Sequence, residues 1–200
     1  MNKLTISLLL ALSASSVAFA GGDAAAGKSK ALVCGACHGA DGNSAMATFP
    51  KLAGQTAPYL VKQLKEIKSG TRPVVEMTGL LDAMSDQDLA DIAAFYAEQP
   101  LVGGKADPAL VETGQLIYRA GIAAKGVAAC TACHGPQGKG MNAASFPAVG
   151  GQHAAYIEKQ LLSFRKGERA NDPNAMMRDI AAKLSDAEIK AVASYMQGLY

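Results

Sequence analysis

Two five-residue strings, Cys34-Gly-Ala-Cys37-His38 and Cys130-Thr-Ala-Cys133-His134, constrain this 200-residue chain more than any other feature. Each reads Cys-x-x-Cys-His, the attachment signature of c-type haem. Thiols three positions apart lie on one side of a helical turn, where both can add to the vinyl groups of one porphyrin. The histidine that follows is then placed to bind the iron as proximal ligand. Other readings of paired Cys-x-x-Cys elements fit less well. Zinc ribbons set their two pairs roughly 15–20 residues apart, whereas Cys37 and Cys130 are 93 positions apart. A thioredoxin-like dithiol belongs to a βαβ pattern, and none is visible. The expected cofactors are therefore two haem c groups, attached through Cys34 and Cys37 and through Cys130 and Cys133, with His38 and His134 on the irons.

The first residues read as a secretory signal: Lys3, an apolar run from Leu4 to Leu12, and Ala18-Phe19-Ala20 as an A-x-A cleavage site. The apolar run is shorter than the ~20 residues a spanning helix needs. Residues 1–20 are expected to be removed, and in a bacterium the mature chain would reach the periplasm. Export invites disulfides, yet all four cysteines sit in the two motifs. Something besides a small apolar core must then hold each half, and a buried, covalently bound haem would do so. Residues 21–100 carry 7 basic and 9 acidic side chains, and residues 101–200 carry 11 and 8. Nothing in that balance points to nucleic acid; it suits modest steering of a protein partner.

The chain repeats itself. Phe49-Pro50-Lys51-Leu52-Ala53-Gly54-Gln55 matches Phe146-Pro147-Ala148-Val149-Gly150-Gly151-Gln152 at an offset of 97, between offsets of 96 for the cysteine motifs and 100 for Ser85-Asp86 and Ser185-Asp186. Helix-prone stretches recur in both halves: Ala24–Val33 and Ala109–Ala120, Ala57–Ser69 and Ala154–Lys166, then helices opened by Ser85 and Ser185. Ser185-Asp-Ala-Glu188 is a full capping box, and Ser85 has Asp88 in the acidic position. Gly121–Ala129 has no counterpart, and the second half carries a three-residue insertion around Asn171–Asn174. No period-two strand appears. The expectation is an all-α chain of two small helical domains, 21–98 and 110–200, joined by a linker at 99–109.

Histidine fills one axial position of each iron, and only His153 remains beyond the motifs, so bis-histidine ligation of both irons is impossible. His153, in a turn-like region, is expected to face solvent. Of the methionines, Met77 and Met177 alone recur in both halves at the same distance before the last helix. A thioether is apolar and polarisable, and His/Met ligation suits electron-transfer cytochromes. Met176, next to Met177, competes with it. Met84 is weaker because its counterpart is Leu184, and Met46, Met141 and Met196 read as packing or loop residues. Pro50 and Pro147 follow their motif histidines by 12 and 13 positions. Each is either the carbonyl that orients the histidine or a simple turn proline.

The order of motif, loop, proline, mid-domain helix, methionine and C-terminal helix resembles class I cytochrome c. The strings CGACHGADGNS, FPKLAGQ, EMTGLLDAMSDQDLADIAAFY, FPAVGGQHAAYIEKQL and AAKLSDAEIKAVASYMQGL resemble the dihaem cytochrome c4 family across the mature chain. The resemblance implies two domains facing each other about a pseudo-twofold axis, with ligand pairs His38/Met77 and His134/Met177. It also implies that Pro50 and Pro147 supply carbonyls to the proximal histidines. By the same resemblance the chain would be a monomeric periplasmic electron carrier, loosely associated with the membrane. It would work between quinol–cytochrome c oxidoreductase and a terminal oxidase, without catalytic turnover of its own. Two alternatives keep the modules and change the role. One is the dihaem subunit of a flavocytochrome c sulfide dehydrogenase. The other is a dihaem peroxidase, which needs an open iron site and an acid/base group and is opposed by two recurring methionines.

Overall fold

Asp23 starts the first helix: its carboxylate accepts from the Ala25 and Ala26 N–H groups at 2.8 and 3.2 Å, two of the donors that a helix N-terminus leaves free. The first half then runs through α1 (Ala24–Lys30), a 3-10 turn (Ala31–Val33), the single turn α2 (Gly35–His38), α3 (Ala57–Lys68) and α4 (Asp86–Ala97). The second half follows with α5 (Val111–Ala120), α6 (Thr131–His134), α7 (Ala154–Lys166), α8 (Met176–Ala181) and α9 (Asp186–Gln197). This computed structural model describes residues 21–199; the expected signal segment, 1–20, lies outside them. Among the described residues there is no sheet, only the isolated antiparallel bridges Ile122–Val127 and Met141–Phe146. No described helix is long and apolar enough to cross a membrane.

Both capping boxes form. The Ser85 N–H donates to Asp88 Oδ2 at 2.8 Å and the Asp88 N–H to Ser85 Oγ at 3.2 Å; the Ser185 and Glu188 pair repeats this at 2.7 and 3.3 Å. Aspartate is thus long enough to close the box. Two features depart from expectation. The region before Ser185 contains the short helix α8, because the Asp172 carboxylate accepts from the Met177 and Arg178 N–H groups, both at 3.0 Å. The unmatched Gly121–Ala129 closes on itself as a tight loop around Gly126 (φ +62°) and buries Val127 in the second core.

Each half packs its first helix across its last. In the first half α1 lies on α4, and α3 joins them around Leu60, Ile92, Phe95 and Tyr96. In the second, α5 lies on α9, with α7, around Ile117, Tyr118, Leu161, Ile189 and Val192. The crossings need glycine. A methyl at Gly27 would stand 2.0 Å from the Asp91 carbonyl oxygen, and one at Gly114 would stand 2.3 Å from that of Ala191. The linker is pinned rather than free. Asn43 bonds the Pro100 carbonyl and the Val102 N–H at 2.9 and 2.8 Å, and the Gly104 N–H reaches the Gln197 carbonyl at 3.2 Å.

Alanine is intrinsically better than glycine in a helix by about 1 kcal/mol, but a clash with a backbone carbonyl cannot relax by rotamer change. Gly27→Ala and Gly114→Ala should therefore each lower stability by about 1–3 kcal/mol, visible as a reduced Tm in thermal melts of the holoprotein. An unchanged Tm would show that the crossings have slack.

Candidate cofactor site

The two Cys-x-x-Cys-His strings become two matching single turns. In α2 the Cys34 carbonyl accepts from the Cys37 and His38 N–H groups at 3.2 and 2.9 Å; in α6 the Cys130 carbonyl accepts from Cys133 and His134 at the same distances. Gly39 (φ +80°) and Gly135 (φ +77°) end the turns in a backbone conformation natural only to glycine. Both motif histidines are buried. His38 Nδ1 lies 2.8 Å from the Pro50 carbonyl oxygen, and His134 Nδ1 lies 2.9 Å from that of Pro147. Burial lowers both imidazoles below their ordinary pKa, against the pull of the proline carbonyls. Each ring is thus neutral near pH 7, donates Nδ1–H to proline, and keeps Nε2 as its available lone pair. Burial also raises the Cys34 thiol and pushes Cys130 up to about 11, while Cys37 and Cys133 are exposed.

Both turns open on one continuous cavity of about 800 Å³, bordered by Cys34, Cys37 and His38 from one half and Cys133 and His134 from the other. The methionines divide around it. Met77, at the end of a 3-10 turn (Val75–Met77), and Met177, in α8, are half-buried and border the cavity. Met177 packs against the second core, whereas Met176 also borders the cavity but is 38% exposed. Met84 packs against the first core; Met46 and Met141 are exposed; Met196 is buried. His153 does not face solvent freely. It is half-buried across the domain boundary, with Nε2 2.9 Å from the Ser44 carbonyl oxygen and 3.0 Å from Ser44 Oγ. Its surroundings come from a residue 109 positions away, which a local reading of the turn does not see.

The floor of the cavity is the contact between the halves, and its bonds come in reciprocal pairs. Gln152 accepts from the Lys51 N–H at 2.9 Å and donates to the Lys51 carbonyl at 2.8 Å; Gln55 accepts from the Ala148 N–H at 2.7 Å and donates to its carbonyl at 2.9 Å. Likewise Arg72 donates to Tyr156 Oη at 2.9 Å, and Arg169 to Tyr59 Oη at 3.0 Å. Gln63 and Gln160 each accept from both arginines. This is a pseudo-twofold axis written in hydrogen bonds. Sequence reading did not single out Arg72 and Arg169, although they share the offset of 97 that relates Pro50 to Pro147. Both guanidinium groups are buried beside mostly neutral partners. Burial alone would raise the Tyr59 phenol, yet Arg169 and Arg72 beside it bring it below its ordinary value.

Two haem-attachment turns, each backed by a proline carbonyl and set in paired all-α domains, define a dihaem c-type cytochrome. The profile of the cytochrome c family matches residues 24–98 and 111–200. Cytochrome c4 of Pseudomonas aeruginosa is 58% identical over 201 residues, and that of Azotobacter vinelandii 55% over 210, each match covering 100% of both chains. The solved structure of reduced recombinant cytochrome c4 from Pseudomonas stutzeri matches with a TM-score of 0.88 at 53% identity, covering 90% of this chain and 100% of the other. The chain belongs to the cytochrome c4 family: it is a dihaem electron carrier with two covalently attached haem c groups.

Each interface glutamine makes two hydrogen bonds to backbone across the boundary, and a buried partner left unpaired costs about 1–3 kcal/mol. Replacing Gln55 and Gln152 together by alanine should uncouple the halves. Calorimetry should then resolve two unfolding transitions in the double variant where the parent shows one.

Proposed function

We propose that this chain carries electrons in the bacterial periplasm between a quinol–cytochrome c oxidoreductase and a terminal oxidase. Its irons would be held by His38 with Met77 and by His134 with Met177. Residues 1–20 would be the signal removed on export, with domains at 21–98 and 110–200 and a pinned connector at 99–109. The observation that carries the reading is the shared cavity. Both motif histidines and both recurrent methionines border one space that crosses the domain boundary, so two redox centres would lie within one molecule, close enough for a relay.

The residues present fit the group. Two thiols stand beside each histidine, and the histidine's tautomer is set by a carbonyl rather than by solvent. When bound, each haem supplies a one-electron Fe(III)/Fe(II) couple. The protein's share is to hold the ligands still and to choose the potential. The Pro50 and Pro147 carbonyls lock each imidazole with Nε2 toward the iron position and increase its basicity. Thioether sulfur from Met77 and Met177 would favour the reduced state and raise the potential. Held by His38 with Met77 and by His134 with Met177, the irons would offer no place to a substrate, which would separate a carrier from a peroxidase. The buried guanidinium groups of Arg72 and Arg169 would offset the porphyrin carboxylates at the domain boundary. Met177 is preferred over Met176 because it is the more buried of the two and its backbone is held by Asp172.

Met77→Ala and Met177→Ala should each remove half of the iron–methionine charge-transfer absorption of the oxidised protein and lower the potential of one haem only. Met176→Ala should leave both unchanged. If Met176→Ala halves the band and Met177→Ala does not, the second ligand is misassigned.

A further inference from the structure

The two recurrent methionines reach the same cavity on unlike supports. Met177 lies in α8, and the Asp172 carboxylate, its side chain only 4% exposed, holds that turn three times. It accepts from the Met177 and Arg178 N–H groups, both at 3.0 Å, and from Arg178 Nε at 2.8 Å. Met177 and Ile180 pack against the second core, and Ala181 just after them is fully buried. Met77 instead ends a 3-10 turn with local bonds: its N–H reaches the Val74 carbonyl at 3.0 Å, and the Thr78 N–H reaches that of Val75 at 3.2 Å. No side chain caps that turn. The one ion pair on it among the described residues, Glu76 with Lys159 at 3.6 Å, joins two side chains that are each more than half exposed.

The difference comes from the repeat itself. Met77 follows Arg72 by 5 positions, whereas Met177 follows the matching Arg169 by 8. The three extra residues bring Asp172 and a sharp bend, in which Asn174 (φ +53°) and Ala175 (φ +57°) are both left-handed. Alanine is disfavoured in that conformation, so the start of α8 is a strained bend held shut by the Asp172 carboxylate. The first half crosses the same gap with neither device. Withdrawing the Met177 sulfur therefore breaks hydrogen bonds to a buried carboxylate and disturbs a packed core. The Met77 turn can swing out at the cost of local bonds alone.

We propose that the centre beside His38 is the one that opens to a small neutral nitrogen base, by release of Met77, while Asp172 keeps the centre beside His134 closed. The proposal rests on the ligand pairs His38/Met77 and His134/Met177. In the exchange one iron–sulfur bond breaks and one iron–nitrogen bond forms, and neither an electron nor a proton is transferred. The thioether moves aside with its own turn. A neutral base of the imidazole class suits a space bordered on this side by Leu64, Ile67, Val74, Leu80 and Leu81, where a charged ligand would pay the cost of leaving water.

The test is imidazole titration of the oxidised dihaem holoprotein, followed through the iron–methionine charge-transfer band. Two separate losses are expected, each of half the band, the first at about tenfold lower imidazole, the worth of one helix cap. Met177→Ala, whose remaining band belongs to Met77, should show only the low-imidazole loss, and Met77→Ala only the high one. Asp172→Ala should bring the second loss down toward the first. Asp172→Asn, which keeps one acceptor oxygen and the size of the side chain, should place it between. The proposal is overturned if both halves of the parent's band go together, if the Met177 half goes first, or if neither Asp172 variant moves the second loss. A wrong ligand assignment reads differently: Met77→Ala or Met177→Ala then fails to remove half the band before any imidazole is added.

Discussion

The reciprocal bonding of Gln55 and Gln152 across the domain boundary is the interaction on which the rest of this molecule depends. Each glutamine clamps both the N–H and the carbonyl of the residue that aligns with Lys51 or Ala148, and that residue follows the proline whose carbonyl holds a motif histidine. One side chain therefore ties three things together: the partner domain, the loop that carries the proline, and the orientation of the imidazole. With no disulfide available in either half, the boundary supplies order that a core of this size would struggle to supply alone. The same contacts keep the two cofactor sites in one cavity at a fixed relation.

Features written by local chemistry were legible in the sequence. Capping boxes at Ser85 and Ser185 depend on neighbours a few positions away, and the last helix of each half begins where those residues say. The all-α class followed from the same patterns. Features made by contact between distant segments were not. Helix α8 needs Asp172 to fold back on two N–H groups, the glycine crossings need the opposite helix, and the environment of His153 needs Ser44 from the other half. Arg72 and Arg169 are an intermediate case. They stood in register in the repeat, but a buried arginine is readable as such only when the tyrosine that receives it is in view.

Duplication explains why the symmetric parts of the interface are so well matched, and departures from symmetry are therefore informative. A backbone that satisfies its polar groups in one copy carries the same unsatisfied groups in the other unless a side chain takes over. The first half has Ala97 where the second uses Gln197 to cap Ala154, and Thr56 where the second has His153 reaching Ser44. A buried hydroxyl without a partner, as at Thr56, is costly, of order 1–3 kcal/mol. The asymmetry between the halves is thus chemical as well as geometric.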